Sequence, residues 1–244
     1  EKSLILKVHR SNFSIEGFTE DVDMKELRSL SDEHSALLLH DIGSGLVISR
    51  KFLEKENISI FNSEPTVQES LESGADVVMF SGDKLLGSVQ SGIIAGNQKI
   101  IKAIKDSPLF RTYRCSPFVL YELQETIKKY ISKRELEIPL WRMISIKYED
   151  LYKRVEEISK VIKFEHSIVD DYSIMGGGTM PDKKILSPVI RIDMLNNEHI
   201  PKSLISNSTP IISRINKENI IIDIRSTDRK NDELIKKFFM SQWQ

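Results

Sequence analysis

Residues 74–96 read GADVVMFSGDKLLGSVQSGIIAG, and this stretch decides the fold. Asp76-Val-Val-Met-Phe80 is an apolar run too short for a helix, with glycine on both sides. That pattern predicts a buried parallel strand. Ser81-Gly-Asp-Lys84 then falls at the strand's carboxyl end, the edge on which open α/β sheets bind their ligands. A second apolar run, residues 92–95, predicts a strand leading away. A lysine held between two hydrophobic strands loses solvation, which lowers an amine's pKa and frees it to form a Schiff base. A solvated lysine in a glycine-rich turn is the alternative, and the chemistry of the stretch alone leaves both open.

Upstream, Ala36-Leu-Leu-Leu-His-Asp41 predicts another buried strand that ends in a carboxylate. A buried Asp needs a partner. A pyridinium N–H is one such partner, because its charge-assisted bond keeps a ring nitrogen protonated. A turn cap over Gly43-Ser-Gly45 is the other reading. His40 either packs behind such a ring or is a satisfied core histidine. Residues 4–8 predict a further strand with His9-Arg-Ser-Asn12 at its end, and a polar cap is the plain reading of Asn12. An amphipathic helix is expected over 20–33, and a short one from Pro65 to Gly74 with proline in its first turn. Downstream, residues 97–105 read as a short basic helix stopped by Ser107-Pro108. Arg111 and Arg114 follow at i, i+3, so one helical turn aims both guanidiniums the same way, either as an oxyanion site or as surface ion-pair partners.

Residues 117–131 predict a long helix with Phe118, Leu120, Leu123, Ile127 and Ile131 inward, and a helical region runs from 139 to about 161. From 162 the pattern becomes strand, glycine turn and strand (164–169, 176–178, 185–192). A hairpin (211–215, 220–224) and a last helix over 228–239 follow, which together predict an antiparallel α+β domain. The expected division is residues 1–137 for an α/β part with a mostly parallel sheet and 138–244 for the smaller domain.

Composition sets wide bounds. The 244 residues carry a net charge of −1, so no global basic field marks the chain as a nucleic-acid binder, and any RNA contact needs a local patch. The single cysteine, Cys115, excludes an internal disulfide and fits a reducing compartment. No apolar run reaches the length of a membrane span, and a cytoplasmic protein with no membrane partner is expected.

The motifs together resemble one family, the bacterial L-seryl-tRNA(Sec) selenium transferases (selenocysteine synthases). Ser81-Gly-Asp-Lys-Leu-Leu-Gly87 is similar to that family's lysine loop. Leu6-Lys-Val-His-Arg-Ser-Asn12, Gly17-Phe-Thr19, Asp41-Ile-Gly-Ser-Gly45, Glu64-Pro-Thr-Val-Gln-Glu69, Arg111-Thr-Tyr-Arg114, Gly176-Gly-Gly-Thr-Met-Pro181 and Ile220-Ile-Ile-Asp-Ile-Arg225 fall in the family's order. The resemblance implies an aspartate-aminotransferase-like fold (fold type I), of which this chain would be the C-terminal half. It also implies the cofactor pyridoxal 5'-phosphate (PLP), with Lys84 as its Schiff-base lysine and Asp41 on its ring nitrogen. Asn12 would lie at its phenolic oxygen and Ser81 at its phosphate. Arg111 and Arg114 would hold a selenophosphate-like donor. The implied reaction converts seryl-tRNA(Sec) to selenocysteinyl-tRNA(Sec) by β-elimination to an aminoacrylate and addition of selenium, in a homo-oligomer built from dimers with shared active sites. Arg225 stands where many fold-type-I enzymes bind a substrate carboxylate, or is structural.

Several positions depart from the family's pattern: Arg10 replaces a Thr or Ser, Ser88, Val89 and Ser91 replace Gly, Pro and Ala, and Ser116-Pro117 replaces an Asp-Lys pair. Two other readings remain at this point. One is a fold-type-I lyase acting on a free amino acid or amino sugar; the other is a non-catalytic fragment or subunit of such an assembly.

Overall fold

Short apolar runs closed by glycine or polar clusters form the predicted parallel strands. The computed structural model describes residues 3–11, 17–18, 20–176, 179–180, 182–195, 197–216 and 218–241. It divides into two units, Glu1–Arg142 with Met175–Lys183, and Met143–Ile174 with Lys184–Gln244. The changeover expected at 137–138 falls inside the first unit. Trp141 holds residues 138–142 there, fully buried with edge contacts to Phe52 and Phe61.

The first unit opens with β1 (Leu4–Val8), α1 (Met24–Glu33) and β2 (Leu37–Gly43). It continues through α2 (Arg50–Lys55), α3 (Val67–Glu72), β3 (Val77–Ser81) and β4 (Gly92–Gly96). The four strands form one sheet in the order β1-β2-β3-β4. The first three are parallel and β4 returns antiparallel to β3, as a mostly parallel sheet requires.

Two helix starts differ from expectation because side-chain caps decide them. Asp23 accepts a bond from Met24 N and starts α1 there rather than at 20. Thr66 and Glu69 form a capping box on α3, so Pro65 stands before the cap and not in the first turn.

Strand alternation gives the sheet two unlike faces. Leu38, Ile42, Val78 and Phe80 point into a core with Met24 and Val67, and Ile5 and Leu71 pack against it. On the other face Leu4, Leu6, Val8, Leu37 and Ile94 are exposed.

After β4 come α4 (Gln98–Asp106), a 3₁₀ turn over Pro108–Tyr113, α5 (Pro117–Ile131) and α6 (Pro139–Ile144). The bounds of α5 match the expectation, but its inward face does not. Leu123 and Tyr130 pack on the core and Thr126 is buried, whereas Phe118, Leu120, Ile127 and Ile131 are exposed. An apolar stripe shows that a helix is amphipathic; which neighbour it faces is a tertiary fact.

The second unit holds α7 (Tyr148–Ser159), β5 (His166–Ile174), β6 (Lys184–Asp193) and α8 (Ile200–Ser206). It ends with β7 (Arg214–Asn216), β8 (Asn219–Ile222) and α9 (Asp232–Ser241). Its sheet is antiparallel in the order β5-β6-β8-β7, the α+β arrangement expected. The helical region expected over 139–161 is two helices, α6 and α7. Leu151, Val155, Ile190, Ile192, Ile220, Ile222, Phe238 and Phe239 build the core.

Within that unit Arg154 is buried and donates to both oxygens of Asp232, at 2.9 and 2.7 Å, and to Thr227 O at 2.9 Å. Removing the carboxylate strands a buried cation, so Asp232→Ala is expected to cost about 3–5 kcal/mol in urea unfolding. A loss below about 1 kcal/mol would show that the pair behaves as a solvated surface bridge.

Candidate active site

The carboxyl ends of the parallel strands carry the candidate residues, and a glycine brings them together. Gly43 closes β2 at φ +59°, a left-handed conformation that costs a side chain dearly. A Cβ there would lie 2.6 Å from Ser11 Oγ and 3.7 Å from Lys84 Nζ. A serine hydroxyl and a lysine amine therefore flank a point that only glycine leaves empty. Ser11 sits just beyond β1 and is buried, with its backbone oxygen accepting from Met180 N at 2.7 Å.

Asp41 is the second residue before that turn, and its Oδ1 accepts from Gly43 N at 3.1 Å. The turn-cap reading of Asp41 is thus realised with one oxygen; the other makes no hydrogen bond with a described residue. Register places Asp41 beside Met79, so Ser81, two residues on, shares its face of the sheet at the end of β3. The Ser81 hydroxyl has no partner among the described residues. Asn12 lies outside the described residues.

The lysine loop, residues 82–91, is held at several points. Leu85 N donates to Ser44 O at 2.9 Å, Gly82 N to Ser91 O at 2.9 Å and Ser88 N to Gly82 O at 2.9 Å. Leu85 and Leu86, next to Lys84, are buried, which leaves the half-buried Lys84 no freedom to swing with its backbone. Tyr130 donates its hydroxyl to Leu86 O at 2.9 Å and accepts from Trp141 Nε1 at 2.6 Å. Burial pushes the Tyr130 phenol up, so it stays a neutral donor. The changed loop residues take part: the Ser88 and Thr126 hydroxyls are 3.0 Å apart, and Ser91 Oγ donates to Val89 O at 3.0 Å.

Three polar features went unread in the sequence. His9 Nε2 lies 3.0 Å from Glu64 Oε2, joining the end of β1 to the start of α3. Ser44 Oγ and Glu64 Oε1 are buried without partners among the described residues. Nothing in sequence spacing pairs residues as far apart as His9 and Glu64. His40 is a core histidine, 2% exposed, but not a satisfied one: neither ring nitrogen has a partner among the described residues.

Arg111 and Arg114 are exposed on the 3₁₀ turn and its cap, neither hydrogen-bonded nor ion-paired to a described residue. The turn ends at Tyr113, so Arg114 is extended and the two do not share one helical turn as expected. In the second unit Arg225 is 5% exposed and donates to the carbonyls of Ile146 at 3.0 Å and Leu186 at 2.8 Å. Burial lowers its pKa, and backbone oxygens engage both terminal nitrogens while Nε is buried without a partner among the described residues.

The set thus offers an amine, a hydroxyl and a carboxylate at one glycine turn, a donor set that suits a cofactor with an aldehyde and a cationic ring. Among the described residues no cluster of metal-binding side chains occurs and no helix is long and apolar enough to cross a membrane.

Comparison with known proteins agrees with this architecture. A family model described as L-seryl-tRNA selenium transferase matches residues 1–228. The L-seryl-tRNA(Sec) selenium transferase of Clostridium perfringens is 40% identical over 96% of this chain, and that of Alkaliphilus oremlandii 37% identical over 98%. The chain covers 52% of each, about half the length of these relatives. Among solved structures, a D-glucosaminate-6-phosphate ammonia-lyase aligns over 97% of this chain and 56% of its own, with a TM-score of 0.56 and 16% identity. That likeness bears out the fold-type-I expectation.

The buried His40 generates a pH dependence. Desolvation lowers its pKa from 6.5 to about 4, with the nearby Lys7 charge acting the same way. The unfolded chain therefore binds the proton first as pH falls. The stability that His40 contributes is complete above about pH 6.5 and is lost between there and about pH 4. In urea unfolding, His40→Leu is expected to flatten the stability curve across that window, where the wild-type slope from this group reaches at most about 1.4 kcal/mol per pH unit. Parallel curves for the two proteins would refute the assignment.

Proposed function

The chain belongs to the L-seryl-tRNA selenium transferase family, and from that premise we propose that it carries the lysine and carboxylate of a PLP-dependent selenium transferase. The reaction would convert seryl-tRNA(Sec) to selenocysteinyl-tRNA(Sec). One observation carries the reading: the Lys84 amine and the Ser11 hydroxyl converge on the side-chain-free Gly43, in a turn capped by Asp41.

These residues fit PLP. Glycine at 43 lets the Ser11 hydroxyl and the Lys84 amine approach one turn, the Asp41 oxygen without a partner among the described residues could accept from a ring N–H, and Lys84 could reach an aldehyde beside that turn. When bound, PLP supplies the electron sink that makes the Cα–H bond of the seryl group acidic. Lys84 would hold the cofactor before substrate arrives and, once released, would take the proton from Cα. Asp41 keeps the ring nitrogen protonated. Ser81, on the same face as Asp41, would take the phosphate; the resemblance assigns the phenolic oxygen to Asn12, which lies outside the described residues. Arg111 and Arg114, without partners among the described residues, would be available for a selenophosphate-like anion. The reading also implies a cytoplasmic homo-oligomer built from dimers.

Borohydride reduction followed by peptide mapping is expected to place the pyridoxyl adduct on Lys84. Lys84→Ala should lose both adduct and visible cofactor absorbance while the chain stays folded, and an adduct on another lysine overturns the reading. Asp41→Asn should retain the adduct and slow turnover by orders of magnitude; near wild-type turnover would leave Asp41 as a turn cap only.

The arginine pair gives a separate test. Replacing Arg111 and Arg114 with Ala should leave the Lys84 adduct and seryl-tRNA binding intact and abolish selenium transfer, each lost fork being worth about 1.5–3 kcal/mol. Normal selenium transfer by the double variant would remove both residues from the site.

A further inference from the structure

The cations of this chain are not spread evenly. Residues 84–121 hold six of them, Lys84, Lys99, Lys102, Lys105, Arg111 and Arg114, against one acid, Asp106. The rest of the chain holds 29 Lys and Arg against 35 Asp and Glu, so a net charge of −1 conceals a strongly basic segment. The function above uses Lys84 and the two arginines. It leaves the three lysines of α4 without a role.

α4 presents those lysines as one strip. Ile100, Ile101 and Ile104 are half-buried, whereas Gln98, Lys99, Lys102, Ala103, Lys105 and Asp106 are exposed. The lysines recur at every third residue, which sets neighbours about 5–6 Å apart on the helix surface. No side-chain ammonium of the three is hydrogen-bonded or ion-paired to a described residue. On α5, α7 and α9, by contrast, Lys128, Lys160 and Lys236 each meet a glutamate one turn back, at Glu125, Glu157 and Glu233.

This arrangement costs α4 stability. Like charges at i, i+3 repel. Lys99 also stands in the first turn, where the helix dipole disfavours a cation and no acid offsets it. An anionic partner removes both penalties. Lysine is depleted from protein interfaces, whose binding energy comes from aromatic and large apolar anchors. The outward face of α4 has no such anchor. A row of compact ammonium charges suits phosphodiesters instead.

Resting on the function proposed above, we propose that α4 is a docking strip for the sugar–phosphate backbone of the tRNA substrate, with Lys99, Lys102 and Lys105 each meeting a phosphate. The sheet separates this contact from the Lys84 of the same chain. Asn97, the cap of α4, donates its N–H to Asp76 O at 2.9 Å, just before β3, whereas Lys84 follows the other end of that strand. The strip therefore holds the body of the RNA and leaves the seryl group to other residues.

The test uses the complete PLP-loaded enzyme and an unacylated tRNA(Sec) transcript, with binding measured between 50 and 200 mM salt. Each phosphate neutralised adds about 0.7–0.9 to the slope of log affinity against log salt. Replacing Lys99, Lys102 and Lys105 together with Gln should therefore lower that slope by about 2–3 and weaken binding about 100-fold at 0.1 M salt. The Lys→Arg triple variant keeps the charge and should bind like wild type. A control triple, Lys128, Lys153 and Lys160 to Gln, removes the same charge elsewhere and should change affinity by less than about threefold, as should Arg111→Ala with Arg114→Ala. In turnover of seryl-tRNA, the α4 Gln variant should raise KM and keep kcat within about twofold, with the Lys84 adduct unchanged.

Unchanged slope and affinity in the α4 Gln variant would overturn the proposal. So would an equal loss in the control triple, which would make the effect one of global charge. A change of oligomeric state with tRNA binding intact would assign the strip to an acidic protein surface, and overturn it as well. A wild-type enzyme that binds no tRNA at any salt would overturn the underlying function and this proposal together. That result is distinct from failure of the strip alone, in which wild type and α4 variant bind tRNA alike.

Discussion

Gly43 is the constraint on which the site depends. Its φ of +59° ends β2 and turns the chain back under Asp41, and its missing side chain lets Ser11 Oγ and Lys84 Nζ approach one point. A methyl group there would stand 2.6 Å from the serine oxygen, closer than any tolerated carbon contact, on a backbone that resists a side chain anyway. Ser11, Asp41 and Lys84 come from the ends of three separate strands or their loops. They meet because parallel strands end together at one edge and because glycine leaves room there.

The lysine loop shows how such a point is kept rigid. Its backbone bonds to Ser44, Gly82 and Ser91 close a tight turn, and Tyr130, itself held by the buried Trp141, pins Leu86 from the side. Gly87, at φ +70°, passes so close to Ile138 that a Cβ would meet its Cγ2 at 2.7 Å. The departures at Ser88 and Ser91 fit this scheme, since both hydroxyls find polar partners within the loop or on α5. The reaching amine is therefore carried by a backbone fixed on both sides, the rigid support a site needs.

What the sequence made legible follows the same physics. The strands could be read because a buried parallel strand is a short apolar run with punctuation at each end, and β1 and α5 were placed to the residue. Lys84 and Asp41 stood out as candidates because open α/β sheets bind their ligands at strand tips. Caps misplaced the starts of α1 and α3, since Asp23 and Thr66 decide those ends through single side-chain bonds that periodicity ignores. The inward face of α5 was misread because Phe118 and Ile131 mark an apolar stripe without saying what covers it. The His9–Glu64 pair and the Ser11 contact were not legible at all, because they join residues distant in sequence through tertiary structure.

The adjacent residues His40 and Asp41 show how far the strand period alone sets the chemistry. Side chains alternate across a sheet, so the two point to opposite faces. His40 falls on the face that α1 and α3 cover, and loses solvation enough to lower its pKa to about 4. Asp41 falls on the face where Leu4, Leu6, Val8 and Ile94 are exposed, with one oxygen on the Gly43 turn and the other without a partner among the described residues. A slip of one residue in the β1–β2 or β2–β3 register would exchange them, burying a carboxylate in an apolar layer and turning the imidazole outward. The core on one side of the sheet and the candidate site on the other therefore fix the same register. The dry packing that strips His40 of solvent is also what fixes Asp41 on the opposite face.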